Sequence, residues 1–131
     1  MMVHIPIKTV SEANRRDRPM RIPGGQWIPG WDVKRRRTKE HRYVSALCIA
    51  NAHIHLEPAP FTVTMTRITP SSRMLDDDNL RSALKAARDG IADAFGIDDG
   101  DPRVTWEYAQ RKGKPREYAV EVEFKCATTR Y

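Results

Sequence analysis

Cysteine is nearly absent: Cys48 and Cys126 are the only two in 131 residues. They are too few and too far apart for a disulfide framework or a zinc site, so free thiols and a cytosolic setting are the expectation. Long apolar runs are also missing, and no stretch approaches the roughly 18 residues that would suggest a membrane span. The amino terminus, MMVHIPIKTV, has no basic segment followed by a long apolar one, which argues against a secretory signal. There is no Gly-rich phosphate loop, nucleophile elbow or zinc-finger spacing. Neither an internal repeat nor a linker divides the chain, whose length suits a single domain, 1–131, with a real core.

What the chain has in quantity is charge. Twenty-three Lys and Arg against 17 Asp and Glu leave a net charge of +6. A basic surface attracts polyanions and releases their counterions, the generic footprint of nucleic-acid binding. A mildly basic surface also serves solubility, so the sum alone does not choose. The distribution says more. Basic residues crowd the first third, at Arg15, Arg16, Arg18 and Arg21, then at Lys34, Arg35, Arg36, Arg37, Lys39 and Arg42. The densest acidic groups lie elsewhere, at Asp76–Asp78 and Asp98–Asp101. Such segregation suits a protein that holds phosphates with one region and does acidic chemistry with another.

Hydrophobic periodicity gives the elements. Residues 2–8 read as a short strand, and residues 15–31, rich in Pro and Gly, as an irregular, mobile loop facing a substrate. That loop carries Trp27 and Trp31, for which base stacking, a core role and an interface role all remain open. From Trp31 the pattern is helical, with Asp32 as N-cap. Val44, Leu47 and Cys48 form an apolar stripe in its second half only, so its cationic first half is expected to reach into solvent. The strict alternation of Phe61 to Thr66 signals a half-buried strand. Leu80, Leu84, Ala87, Ile91, Ala94 and Phe95 step by three and four and predict the clearest helix, stopped by Gly96. Residues 104–108 and 118–124 read as two strands, and Arg111–Arg116 between them as a hairpin turn. The expected architecture is α+β, a mostly antiparallel sheet of about four strands with two principal helices on one face.

The triplet Asp76-Asp77-Asp78, followed by Asn79, opens the strong helix. One such residue serves as a cap, and anions there gain about 0.3–1 kcal/mol from the helix dipole. Three consecutive carboxylates repel one another, and a hard cation such as Mg²⁺ would relieve that repulsion. Capping and metal binding both fit. Asp98-Asp99-Gly100-Asp101, taken alone, is an ordinary turn composition. It can reach the first group only if the chain reverses after Gly96 and strand 104–109 runs back alongside. Asp78, Ser82, Lys85 and Asp89 fall opposite the apolar stripe. Lys85 leans toward the helix start, where it would meet a phosphate, or pairs with Asp89 four residues on. His53 and His55 lack a third ligand, and packing or surface roles suit them better.

Taken together, Leu75-Asp76-Asp77-Asp78-Asn79-Leu80, then Lys85-Ala86-Ala87-Arg88-Asp89, then Gly96-Ile97-Asp98-Asp99 resemble the RusA-like Holliday-junction resolvases, a family common in phages and prophages. The likeness covers nearly the whole chain, including the Ser11-to-Asn14 turn, the basic helix and the two C-terminal strands. It implies a homodimer in the cytoplasm of a bacterial host that cuts branched duplex DNA by Mg²⁺-assisted phosphodiester hydrolysis. Asp76, Asp78 and Asp99 match the family's metal-binding catalytic carboxylates. The family lysine lies three positions after the Asn, where this chain has Ser82; Lys85 matches it if the helix start carries an extra turn, and Arg81 is the rival. Phosphate contacts fall to Arg15, Arg16, Lys34, Arg35, Arg36 and Arg37. Two further classes stay in view: a non-catalytic nucleic-acid-binding protein with this fold, and a structural phage protein in which the acidic groups are only a cap and a turn.

Overall fold

The computed structural model describes residues 2–12, 16–54 and 60–126. Alternation builds its main sheet. Val3 and Ile5 in β1 (Met2–Ile5), Val63 and Met65 in β4 (Phe61–Thr69), and Val120, Val122 and Phe124 in β6 (Ala119–Cys126) are buried on one face. The threonines between them in β4 and the glutamates in β6 form the other face. With β5 (Val104–Lys112) the order is β1-β6-β4-β5; β1–β6 and β6–β4 are antiparallel, whereas β4–β5 is parallel. Met65 lies opposite Val122 on one side and Tyr108 on the other.

The α+β architecture, with two of three pairings antiparallel, matches expectation, but the hairpin between the last two strands does not form. β4 sits between β5 and β6, and Arg111 and Lys112 still belong to β5. The physical reason is burial. β4 and β6 each have a fully buried apolar face and take the centre of the sheet, while β5, largely exposed, takes the edge. The connection crosses the end of β4, where the Gly113 N–H donates to the Thr69 carbonyl at 2.7 Å.

Two helices cover the buried face. In α2 (Asp77–Phe95), Leu80, Leu84, Ala87 and Ile91 are buried as the spacing predicts. The Asp76 carboxylate caps its start, accepting the Asn79 N–H at 2.9 Å, and Gly96 ends it in the left-handed conformation with φ 67°. Fully burying a leucine or isoleucine such as Leu84 or Ile91 contributes about 1.5–3 kcal/mol, so this stripe anchors the layer.

The long helix α1 (Gly30–Asn51) departs more from expectation. It starts two residues before Asp32, with Pro29 at the cap, so Asp32 lies inside the first turn. Its buried residues are Asp32, His41, Ser45 and Ile49, and Leu47 is exposed. Of these, His41 and Ser45 face α2, whose Gly90 permits a close crossing, whereas Asp32 lies on the other side of the helix and binds Arg35 and Arg36. A Cβ at Gly90 would overlap the Arg42 carbonyl oxygen and stand 2.9 Å from Ser45 Cβ. The first half of α1 does reach into solvent as expected, with Lys34, Arg35, Arg36 and Lys39 exposed, while Asp32 is buried and Arg37 half-buried. The region expected to be irregular forms a small antiparallel ribbon, β2 (Met20–Arg21) with β3 (Trp27–Ile28), turned at Gly24 and Gly25, both with positive φ.

Candidate nucleic-acid interface and acidic helix start

The start of α2 is held from two sides. Gln110, near the end of β5, accepts the Leu75 N–H at 3.0 Å and donates to the Leu75 carbonyl at 2.7 Å. Ser11 donates its hydroxyl to the Asn79 side-chain carbonyl at 2.6 Å. These contacts fix the Asp76–Asn79 segment, and of its three carboxylates only that of Asp76 is used in capping. Asp77 and Asp78 stand exposed in the first turn.

Between α2 and β5 lies a cleft of about 270 Å³ lined by Arg81, Ser82, Lys85, Arg88, Asp99 and Tyr108. Sequence spacing puts Arg81 and Arg88 on one side of the helix, and strand alternation puts Trp106 and Tyr108 on the helix-covered side of the sheet. Arg88 lies over the Trp106 ring, 4.8 Å from its centroid, and donates to the Tyr108 hydroxyl and the Asp99 carbonyl, each at 2.8 Å. Its Nε has no hydrogen-bond partner and stands 3.8 Å from the Asp99 carboxylate. Trp106 donates to the same Asp99 carbonyl at 3.0 Å. Arg81 covers Tyr108 at 5.3 Å. Lys85 is 67% exposed and holds Asp89 only at 3.4 Å, so the pairing expected from the spacing is present but long. Three cations thus share a small cleft with one carboxylate, Asp99. A second cleft adjoins it, sharing Arg81 and Tyr108 and reaching Asp77.

The chain does reverse after Gly96, and β5 does run back along α2. Asp99 nevertheless stays at the level of Arg88, because it precedes the strand. Arg88 lies ten residues beyond Asp78, about 15 Å along the helix axis. Asp98 accepts the Gly100 N–H at 3.1 Å, which holds its carboxyl below the usual range, and the Arg103 guanidinium holds Asp101 down to about 2. Both are consumed by the turn. Among the described residues no three acidic, histidine or cysteine side chains gather where a metal ion could be held. Asp76 and Asp78 carry carboxylate oxygens of the kind Mg²⁺ takes, and one Asp76 oxygen already accepts the Asn79 N–H. Asp99 is not brought to them within one chain.

The basic segment divides. Arg37, 15% exposed, places its fork on Glu12 at 2.6 Å and Asp17 at 2.9 Å, which takes it out of the phosphate-facing set and pins the preceding segment to α1. Arg35 and Arg36 both bind Asp32, and their hydrogen bonds lower its pKa, with Arg35 the larger cause. Lys34, Lys39 and Arg16 are exposed. Arg15 and Asn14 lie outside the described residues, as does His55. Trp27 and Trp31 are 59% and 70% exposed, which rules out a core role within the chain. Cys48, half-buried, is a free thiol.

Sequence reasoning left Arg88, Trp106, Tyr108 and Gln110 without a role. Their signal was the seven-residue step from Arg81 to Arg88 and the shared parity of Trp106, Tyr108 and Gln110. Neither carries meaning until β5 is known to flank α2. No helix among the described residues is long and apolar enough to cross a membrane. The chain matches no protein-family model, and no curated protein matches it significantly.

Proposed function

We propose that this chain is a Mg²⁺-dependent endonuclease of the RusA type, a phage or prophage protein of the bacterial cytoplasm. It hydrolyses phosphodiesters in four-way or otherwise branched DNA and works as a homodimer. The observation that carries the reading is the cleft between α2 and β5, in which Arg81, Lys85 and Arg88 surround a space beside Asp99. One phosphodiester is the natural occupant of three converging cations, and phosphate contacts dominate affinity for DNA.

Asp76 and Asp78 are the residues that would hold Mg²⁺, each offering hard carboxylate oxygens at a rigid helix start. When bound, Mg²⁺ supplies a water of lowered pKa and neutralises charge building on the phosphate. The chain's own groups position and stabilise. Lys85, weakly held by Asp89, swings onto a phosphate oxygen, and Arg81 stands one turn nearer the carboxylates. Arg88, locked between Trp106, Tyr108 and Asp99, fixes the cleft wall. The Asp99 carboxylate faces Arg88 across that cleft and stands apart from Asp76 and Asp78 within one chain. Lys34, Arg35, Arg36 and Arg16 carry the more distant phosphate contacts. A two-fold junction is met by a two-fold protein, which gives the homodimer its physical sense.

A second reading, a non-catalytic nucleic-acid-binding protein with the same fold, is favoured by one observation: the three carboxylates do not gather in a single chain. Purified protein with a synthetic four-way junction and Mg²⁺ separates the two. Under the nuclease reading Asp78→Asn loses cleavage by at least about a hundredfold and keeps junction binding. Binding without cleavage by either form establishes the second reading instead.

A further inference from the structure

Along one exposed side of α1, Trp31, Lys34, Arg35, Thr38, Lys39 and Arg42 step by three and four and line one shallow recess of about 450 Å³. We infer that this stripe is a track for an unpaired DNA strand, with Trp31 stacking on a base while Lys34 and Lys39 hold phosphates. Three observations carry it.

The first is charge. The recess carries four cations, and Lys34 and Lys39 form no ion pair with a described residue. Arg35 and Arg42 are partly neutralised by Asp32 and Asp93. The second is the aromatic. Trp31 is 70% exposed at one end of the cationic row, with its ring left open by the described residues. A duplex offers phosphates to such a row but hides its base faces in the stack. Only an unpaired strand offers phosphates and a free base face together, and groove cations with stacking aromatics are how single strands are held. The row from Trp31 to Arg42 is about 16 Å long.

The third is continuity. Lys34 and Thr38 line both this recess and the cleft between α1 and α2. Ser82 and Lys85 line both that cleft and the one holding Asp99. A strand lying on α1 is therefore led by way of Lys34 and Lys85 to the cleft described above. The inference shares with the nuclease reading only the premise of a DNA ligand.

The test is fluorescence anisotropy of the full chain with a fluorescein-labelled oligothymidylate in EDTA at low salt, a blunt duplex of the same length serving as comparison. The single strand is expected to bind more tightly than the duplex and to quench tryptophan emission, with most of the quench lost in Trp31→Phe. Trp31→Ala is expected to weaken single-strand binding about tenfold and to leave duplex binding nearly unchanged. Lys34→Ala with Lys39→Ala should make the salt dependence shallower by roughly 1.4, about 0.7 for each phosphate released. Thermal melts confirm that these exposed substitutions leave the fold intact. EDTA silences hydrolysis, so a junction that is never cut leaves this measurement untouched. Single-strand affinity unchanged in Trp31→Ala, or a duplex bound as tightly and with the same sensitivity to Trp31, overturns the track whatever the cleavage assay gives.

Discussion

Gly90→Ala sets two ordinary effects against each other at the crossing of α1 and α2. In an exposed helix the substitution stabilises by about 1 kcal/mol, because alanine has less backbone freedom to lose. Here the new methyl would overlap the Arg42 carbonyl oxygen and stand 2.9 Å from Ser45 Cβ and 3.1 Å from the Ala46 nitrogen. Carbon atoms pack best at about 3.5–4.0 Å, so the helices must part by something near an ångström. Two of the three neighbours are backbone atoms, which cannot swing aside. Overpacking of this kind costs about 1–3 kcal/mol, and a backbone clash belongs at the upper end. The net expectation is a loss of about 2 kcal/mol, which lowers Tm by roughly 6–8 °C in a domain of this size. Thermal unfolding followed by circular dichroism, with urea midpoints beside it, measures the change. Gly96→Ala is the matched control: it meets nothing within 4 Å, so only its positive φ of 67° opposes the substitution. That should cost about 1 kcal/mol. A Gly90→Ala protein as stable as the parent, or more so, would refute the close crossing and the account of why Ser45 is buried there.

Two further outcomes concern Arg37 and His41, side chains of α1 enclosed by other segments. Arg37→Ala strips the guanidinium from Glu12 and Asp17 and should cost about 3 kcal/mol in urea unfolding, with Arg37→Lys recovering only part because the ammonium cannot form the fork. Limited proteolysis should then cut near the β2–β3 ribbon first. His41 is buried between the helices, and burial pushes its pKa below the ordinary 6.5. The unfolded chain therefore takes up a proton first as pH falls, and stability is lost from about pH 6.5 downward toward the folded value, with no contribution above it. Urea midpoints at pH 7.5 and 5.5 should fall in the parent and fall less in His41→Asn; equal slopes would show that His41 is not held neutral.

Legibility followed locality. The second helix could be read almost residue by residue, since Asp76 caps it, Leu80, Leu84, Ala87 and Ile91 bury their stripe, and Gly96 ends it, all within contacts a few residues long. β4 and β6 were equally plain from alternation. The first helix was harder because its face toward α2 buries His41 and Ser45, polar residues whose burial depends on the close crossing at Gly90 some fifty positions on. Arg37 looked like its cationic neighbours, and only Glu12 and Asp17 set it apart. At the candidate site Asp76, Asp78, Asp99 and Lys85 were visible as types in a pattern, whereas Arg88, Trp106 and Tyr108 acquired a role from the cleft alone.

The sequence by itself determined the α+β class, most element positions, the capped acidic helix and the separation of basic from acidic regions, because each depends on periodicity and short-range chemistry. Tertiary structure decided that β5 lies parallel beside β4, that Asp99 meets Arg88 rather than Asp76, and that Lys34 and Lys85 border neighbouring clefts. Those outcomes turn on which strand takes the centre of the sheet, a competition for burial among distant segments that no local window of sequence contains.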